Sequence, residues 1–228
     1  MLAGAASGGA RLIVLDNLCA YGRPRGPRLV ETAADDPTST KSATRAAMTQ
    51  ELLGAHRSGQ VEVAIGRASD YFRPRTTQSA LGEAVFGAAV RGSTAQVMGD
   101  PDQPHSYSYT PDVAAALITL GAAPEAAGQV WNLPVPAPRT TRQIIDEVYR
   151  LAGHQPRVRA AGRTTLRLLG LVKPEIREYL HTLYQFTDPW VVDDIKFRTA
   201  FGDHVTPMAQ SLAATVAWYR DRTAVPVH

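Results

Sequence analysis

The densest group of chemically able side chains in this sequence lies between Val61 and Pro74, VEVAIGRASDYFRP. Arg67, Ser69, Asp70, Tyr71 and Arg73 follow one another closely, a mixture of guanidinium, hydroxyl, carboxylate and phenol that can bind a polar ligand or exchange a proton. Ahead of them Val61, Val63 and Ile65 alternate with Glu62, Ala64 and Gly66, a β-branched run that predicts a strand ended by Gly66. Open α/β sheets place their ligands just past the carboxyl ends of their strands. The alternative is a plain strand-to-loop exit carrying solvated charges.

Other chemistries find little support. Cys19 is the one cysteine of 228 residues, which excludes an intramolecular disulfide and a cysteine-based zinc site and fits a reducing compartment. The six histidines are scattered, with no HExxH and no close pair, so no metal is expected. Gly4, Gly8 and Gly9 imitate a phosphate-binding loop, but such a loop follows a strand and opens a helix, whereas these glycines precede the apolar run RLIVL. They read as the tail of a helix entering a strand. A net charge of +3, with arginines mixed among acids and no basic run, argues against nucleic acid as a partner. No apolar stretch approaches the ~18 residues of a membrane span, and no basic segment precedes an apolar core at the N-terminus. The expectation is a cytoplasmic protein with no membrane partner.

The elements that must position these groups follow from pattern. Arg11 to Leu15 is a buried strand, Asp16 to Pro27 a loop, and DDPTST from Asp35 supplies N-cap chemistry for a helix over Lys41 to Arg57. Strand, helix and strand make a βαβ unit and predict a parallel sheet. With 44% hydrophobic residues the chain can bury a substantial core. Further helices are expected over Ser79 to Arg91, from Asp112 to Gly121, from Thr140 or Thr141 onward, over Leu166 to Leu171, Pro174 to Phe186 and Thr206 to Arg220. Short strands are expected at Ala95 to Met98, Ser106 to Tyr109, Gln129 to Leu133 and Val158 to Ala160.

Six segments in this order resemble the extended short-chain dehydrogenase/reductase family, the NAD-dependent epimerase/dehydratases: RLIVLDNLCAYG, SATRAAMTQELLGAHRSG, VEVAIGRASDYFRP, GDPDQPHSYSYTPDVAAAL, GQVWNLP and VDDIKFRTAFG with its following TP. The resemblance runs from Arg11 onward. It implies an α/β fold: the C-terminal part of a Rossmann-type doubly wound parallel sheet plus a small α/β substrate domain, with the N-terminal GxxGxxG unit absent. Residues 1–75 would be the remnant of the dinucleotide-binding sheet, and residues 76–228 mainly a substrate-binding region with segments returning to the sheet. An N-terminally truncated member is expected, whose sheet would expose an unpaired edge. The cofactor implied is NAD or NADP, and the substrate a sugar-nucleotide or a small carbonyl or alcohol. Homodimerisation is implied through the helix at Lys41 to Arg57 and the one after the strand at Val61.

The resemblance also nominates residues and shows departures. The family's acid/base pair is a tyrosine with lysine four residues later; here Lys41 and Arg45 stand at those positions, and no tyrosine has a lysine at that spacing. Asn17, or Asp16 beside it, matches the serine or threonine that orients substrate. Tyr21 matches a mostly structural Tyr-Gly. The catalytic candidates are therefore Asn17, Lys41 and Arg45, with Tyr71 as a substitute phenol. Arg67, Ser69 and Asp70 are nominated to face the cofactor, and His105, Tyr107 and Tyr109 to line the substrate cleft. Structural readings stand beside these: Asp70 capping its loop, Asp112 as an N-cap, His105 in a turn, and Tyr184, Phe186 and Trp190 as core. Arg139 could meet a phosphate or be a solvated helix start. The family chemistry would begin with hydride transfer at the nicotinamide. The other readings are a non-catalytic binding or regulatory protein, and a non-functional fragment.

Overall fold

The computed structural model describes residues 2–162, 164–166 and 180–224. Helix α1 (Leu2–Ser7) leads to strand β1 (Leu12–Asn17), a 3-10 turn (Cys19–Tyr21), a long loop and α2 (Thr40–Arg57). Then come β2 (Val63–Ala68), β3 (Asp70–Phe72), a π-helical segment (Gly82–Gly87) continuing as α3 (Ala88–Val90), and β4 (Ala95–Met98). They are followed by β5 (Pro104–His105), β6 (Tyr107–Tyr109), α4 (Thr110–Ala122), β7 (Val130–Asn132) and β8 (Arg139–Thr140). The last elements are α5 (Thr141–Ala152), β9 (Val158–Ala161), α6 (Tyr184–Thr187), α7 (Ile195–Phe201) and α8 (Met208–Ala224). Past Leu166, the helix expected to Leu171 lies outside the described residues, as does the first part of the one expected from Pro174.

The chain divides into two units. The first takes Met1–Ser69, Pro111–Val135 and Val192–Val205. It holds a parallel sheet in the order β1-β2-β7, with Leu12 opposite Val63 and Ile65 opposite Val130. This is the expected βαβ arrangement. The central strand β2 is buried along its whole length, as parallel strands covered on both faces must be. Gly66 does not end it. The strand runs on to Ala68, and Gly66 pairs with Leu15 and Trp131 inside the sheet. Its missing side chain is a packing requirement, since a Cβ would sit 2.8 Å from Leu133 and 3.0 Å from Leu117. β1 pairs with β2 on one side and, among the described residues, with no strand on the other; Leu15 is 40% exposed. Helix α2 starts at a capping box in which Ser39 and Ser42 satisfy each other's backbone N–H groups. It packs Leu52, Leu53 and Ala55 against Val63, Ile65 and Val130.

The second unit takes Asp70–Thr110, Pro136–Val191 and Thr206–His228. Its two-stranded pairings are β3 with β6 and β4 with β9, both parallel, and β5 with β8, antiparallel. Its core is built on α5, whose apolar stripe Ile144, Ile145, Val148 and Tyr149 is fully buried against Leu212, Val216 and Tyr219 of α8. Each such side chain contributes about 1.5–3 kcal/mol by leaving water. Thr140 caps α5 in a reciprocal box with Gln143, as its sequence predicts. Two expectations need correction. Asp70 and Tyr71 are not in a loop: they belong to β3, with Asp70 opposite Tyr107 and Tyr71 opposite Ser108, because Phe72 anchors the strand in the core beside Phe86 and Tyr109. The helix expected from Ser79 begins only at Gly82. Thr77 accepts the Glu83 N–H at 2.8 Å, and a Cβ at Gly82 would collide with the Thr77 carbonyl. Among the described residues no helix is long and apolar enough to cross a membrane.

Candidate active site

In the first unit, β1 and β2 end side by side, and their register puts Asp16 opposite Arg67. Both are almost wholly buried. Arg67 Nε lies 3.5 Å from Asp16 Oδ2, and its Nη2 lies 3.5 Å from Asp35 and 3.4 Å from the Thr49 hydroxyl on α2. Arg45, also on α2, approaches Asp16 Oδ1 at 3.7 Å. Two buried atoms of this cluster, Asp16 Oδ1 and Arg67 Nε, make no hydrogen bond with any described residue. Tyr21 lies across the guanidinium, 4.3 Å from carbon to ring centroid. Burial opposes the Arg67 charge, yet Tyr21, Asp35 and Asp16 hold it protonated above its ordinary range. Burial pushes the Tyr21 phenol up to about 12 against the pull of Arg67. Neither Arg67 nor Tyr21 can exchange protons near neutrality, so Arg67 is a fixed charge here.

Asn132, at the end of β7, ties the same end of the sheet together. Its side chain accepts from the Tyr21 hydroxyl at 3.1 Å and donates to the carbonyls of Leu29 at 2.9 Å and Asp193 at 3.0 Å. Its backbone N–H donates to Glu31 at 2.9 Å. Burial raises the Glu31 pKa despite that bond. Lys196, on α7, stacks 4.0 Å from the Trp131 ring and donates to the Val130 carbonyl; burial lowers its pKa.

In the second unit, β3 and β6 bring Asp70 to His105, with Oδ2 to Nε2 at 2.7 Å. The His105 ring is buried between Tyr107, 4.4 Å away, and Phe186, 5.5 Å away and nearly parallel. Asp70 therefore does not cap a loop, and His105 is a β5 residue, not a turn residue. Tyr107 is buried with its hydroxyl 2.8 Å from Thr141, and burial raises its pKa. Tyr109 is half-buried against Phe72. Asp112 lies within the first turn of α4, which starts at Thr110, so it is not the N-cap. Tyr184 and Trp190 are both buried and meet edge-on at 5.9 Å.

The nominated residues are thus dispersed. Arg67 and Arg45 meet around Asp16, while Asn17, half-buried next in the chain, uses its side-chain oxygen to accept the Cys19 N–H at 2.9 Å. Lys41 is exposed in the first turn of α2. Ser69 is buried at the end of β2, and Tyr71 lies half-buried in β3. Sequence reasoning missed Asp35, Thr49 and Asn132. The last had a signal, a polar residue inside the apolar run VWNL, and the Asp16–Arg67 pair had another, opposite charges at the ends of adjacent apolar strands.

The cofactor implied by the resemblance can be tested against these residues. A dinucleotide needs backbone N–H groups in a glycine turn between a strand and a helix. Gly4 lies in α1, and Gly9 in the turn before β1; a Cβ at either would meet nothing, so they line no cradle. At the start of α2 the Ser42 N–H is taken by Ser39. The described residues do not fit a pyrophosphate. Among them, no group of three or more His, Cys, Asp or Glu side chains is placed to hold a metal ion.

Residues 1–133 match the NAD dependent epimerase/dehydratase family. No curated protein matches the sequence. Among solved structures the chain is similar to DesIV, a dTDP-glucose 4,6-dehydratase from Streptomyces venezuelae with NAD bound, at 20% identity and TM-score 0.75 over 96% of this chain and 63% of that one. It is similar to the UDP-glucose 4-epimerase of Thermus thermophilus in complex with NAD, at 21% identity and TM-score 0.74, over 98% and 68%. A dTDP-glucose 4,6-dehydratase of Bacillus anthracis in complex with NAD gives 16% identity and TM-score 0.77 over 96% and 65%. These likenesses show a Rossmann-type α/β fold. The chain spans less than two thirds of the length of DesIV.

Proposed function

The chain belongs to the NAD dependent epimerase/dehydratase family, and from that premise we propose that it acts on the substrate side of NAD(P)-linked chemistry, taking a sugar-nucleotide or a small carbonyl or alcohol. The observation that carries this reading is the convergence of Asp16, Arg67 and Arg45 where β1 and β2 end, the end of an open sheet where ligands bind. Residues 1–75 form the sheet portion in this account and residues 76–228 mainly the substrate portion. The dinucleotide-holding glycine unit is not among the described residues, so no step is routed through the cofactor.

Asn17 donates its amide NH2 to the substrate oxygen, since its side-chain carbonyl is already engaged by Cys19. Arg45 supplies fixed positive charge over Asp16 where the family places a lysine, and Lys41 adds a second cation one turn earlier. Arg45 cannot pass a proton, and Tyr71 remains the substitute phenol that the family resemblance nominates for that task. Arg67, Ser69 and Asp70 face the cofactor side, Arg67 as a positioning residue that holds Asp16 and Thr49. His105, oriented by Asp70, lines the substrate side with Tyr107 and Tyr109. A reducing cytoplasm suits the single Cys19, and a homodimer is compatible with the largely exposed α2.

The loss of the family's tyrosine–lysine pair favours a second reading, a binding protein that retains the substrate site without turnover. One experiment separates them. The protein is incubated with UDP- and dTDP-hexoses together with NAD⁺ or NADP⁺, and products are followed by NMR. Turnover that falls at least tenfold in Asn17→Ala supports the enzyme. Binding of a sugar-nucleotide without turnover supports the second reading, and neither binding nor turnover overturns both.

A further inference from the structure

The loop between β1 and α2 does more than connect them. Such long connections are uncommon in compact domains unless they have a function, and this one is held at several points. The Leu29 carbonyl accepts from Asn132 at 2.9 Å and from the Asp193 N–H at 2.9 Å. Asp36 donates its N–H to the Ala20 carbonyl at 2.9 Å and binds Arg25 at 2.8 Å. Gly22 has φ +67°, and a Cβ there would collide with the Asp36 carbonyl, so the loop closes tightly on its own start. Pro24 and Pro27 restrict it further.

Between these anchors the loop borders a half-open cavity of about 430 Å³, within the range of roughly 300–1,000 Å³ typical of small-molecule sites. Tyr21, Pro24, Leu29 and Val30 give it an apolar wall. Its charged lining is Arg23, Arg25 and Arg28 with the carboxylate of Asp193. Arg25 is paired with Asp36 at 2.8 Å, while Glu31 is directed to the Asn132 N–H and Asp35 to Arg67. Arg28 is more than half exposed, and its one ion pair, with Asp193, is 4.0 Å long, beyond hydrogen-bond reach. Its donors therefore make no short bond in the described protein. Asp193 in turn accepts the Ile195 N–H with one oxygen.

We infer that this loop cavity binds a small organic oxyanion, a phosphate monoester or a carboxylate, with Arg28 holding the charged group and the Tyr21–Leu29 wall covering its apolar body. A guanidinium presents paired donors matched to either oxyanion, and a loop pinned in advance loses little freedom on binding. The site lies wholly in the first unit and is independent of the reading proposed above.

Titration calorimetry with phenyl phosphate, benzoate and the neutral benzyl alcohol tests it. One or both anions bind with millimolar or tighter affinity, and the stronger of the two identifies the source; benzyl alcohol binds at least tenfold more weakly. Arg28→Gln weakens the anion at least tenfold, and Ala34→Trp, which fills the cavity from an exposed position, abolishes binding. Arg57→Gln, an exposed arginine at the end of α2, leaves it unchanged. Melting temperatures establish that each variant is folded. Absence of binding by both anions, equal binding of benzyl alcohol, or full affinity in folded Arg28→Gln overturns the assignment.

Discussion

Replacing Asn132 by leucine should remove most of the margin by which the first unit stays folded. Asn132 is 0% exposed, and its side chain makes three hydrogen bonds, from the Tyr21 hydroxyl and to the carbonyls of Leu29 and Asp193. Leucine fills the space but satisfies none of them, so the Tyr21 hydroxyl loses its acceptor and the Asp193 carbonyl its donor, while the Leu29 carbonyl keeps the Asp193 N–H at 2.9 Å. At about 1–3 kcal/mol for each buried group left unmade, with the Asp193 carbonyl only part-buried and the Leu29 carbonyl losing one of two bonds, the loss comes to roughly 2–5 kcal/mol. That is a large share of the ~5–15 kcal/mol of a whole domain. Tyr21→Phe removes one of the three bonds and should cost about 1–2 kcal/mol. Urea unfolding of the three proteins, analysed with a common m-value, measures both. An Asn132→Leu protein within 1 kcal/mol of the parent, or a Tyr21→Phe protein as unstable as Asn132→Leu, refutes the view that Asn132 joins β7, the loop and the segment before α7.

Other perturbations probe separate parts of the account. Arg67→Leu leaves the buried Asp16 carboxylate with only the partly exposed Arg45 at 3.7 Å and the Thr49 hydroxyl at 3.5 Å and should cost about 2–4 kcal/mol, while Asp16→Leu combined with it recovers part of that loss; equal instability of single and double variants in urea would reject the pairing. Gly66→Ala presses a methyl group onto Leu133 and Leu117 and should cost about 1–3 kcal/mol, so an unchanged melt would show that the close approach is relieved at no expense. Burial raises the Glu31 pKa above its ordinary 4.5, so the folded state holds that proton more tightly. Its stabilising effect is complete below pH 4.5 and is lost as pH rises through the raised value. Glu31→Gln should flatten the fall in melting temperature over that interval, and an identical slope in parent and variant would exclude Glu31 as its source.

Much of the sheet was legible because its strands are written as apolar runs. RLIVL and VEVAI with a capped helix between them left little choice but a parallel βαβ unit, and Thr140 announced α5 by its own side chain. Gly66 was misleading, since glycine marks both a strand end and a place where a neighbour comes close, and the neighbours Leu117 and Leu133 are distant in sequence. Asp70 and Tyr71 sit among polar residues that look like a loop; Phe72 makes them a strand only once the core formed by α5 and α8 exists to receive it. The roles of Asn132 and Asp35 depend on the path of the loop before α2, which no local pattern specifies. Lys41, Arg45 and Asn17 were nominated through family resemblance alone, because three isolated polar residues have no period or spacing of their own.

The most direct test of the central claim is a thermal melt of the protein with UDP-glucose or dTDP-glucose, and separately with NAD⁺, NADH, NADP⁺ and NADPH. Ligands that bind the folded state raise the melting temperature in proportion to the logarithm of their concentration over Kd. The account predicts a cooperative melt raised by a sugar-nucleotide and unmoved by any dinucleotide alone, because it proposes a substrate side for this chain and the described residues hold no pyrophosphate cradle. A melt raised by a dinucleotide alone, or by none of these ligands, would contradict it.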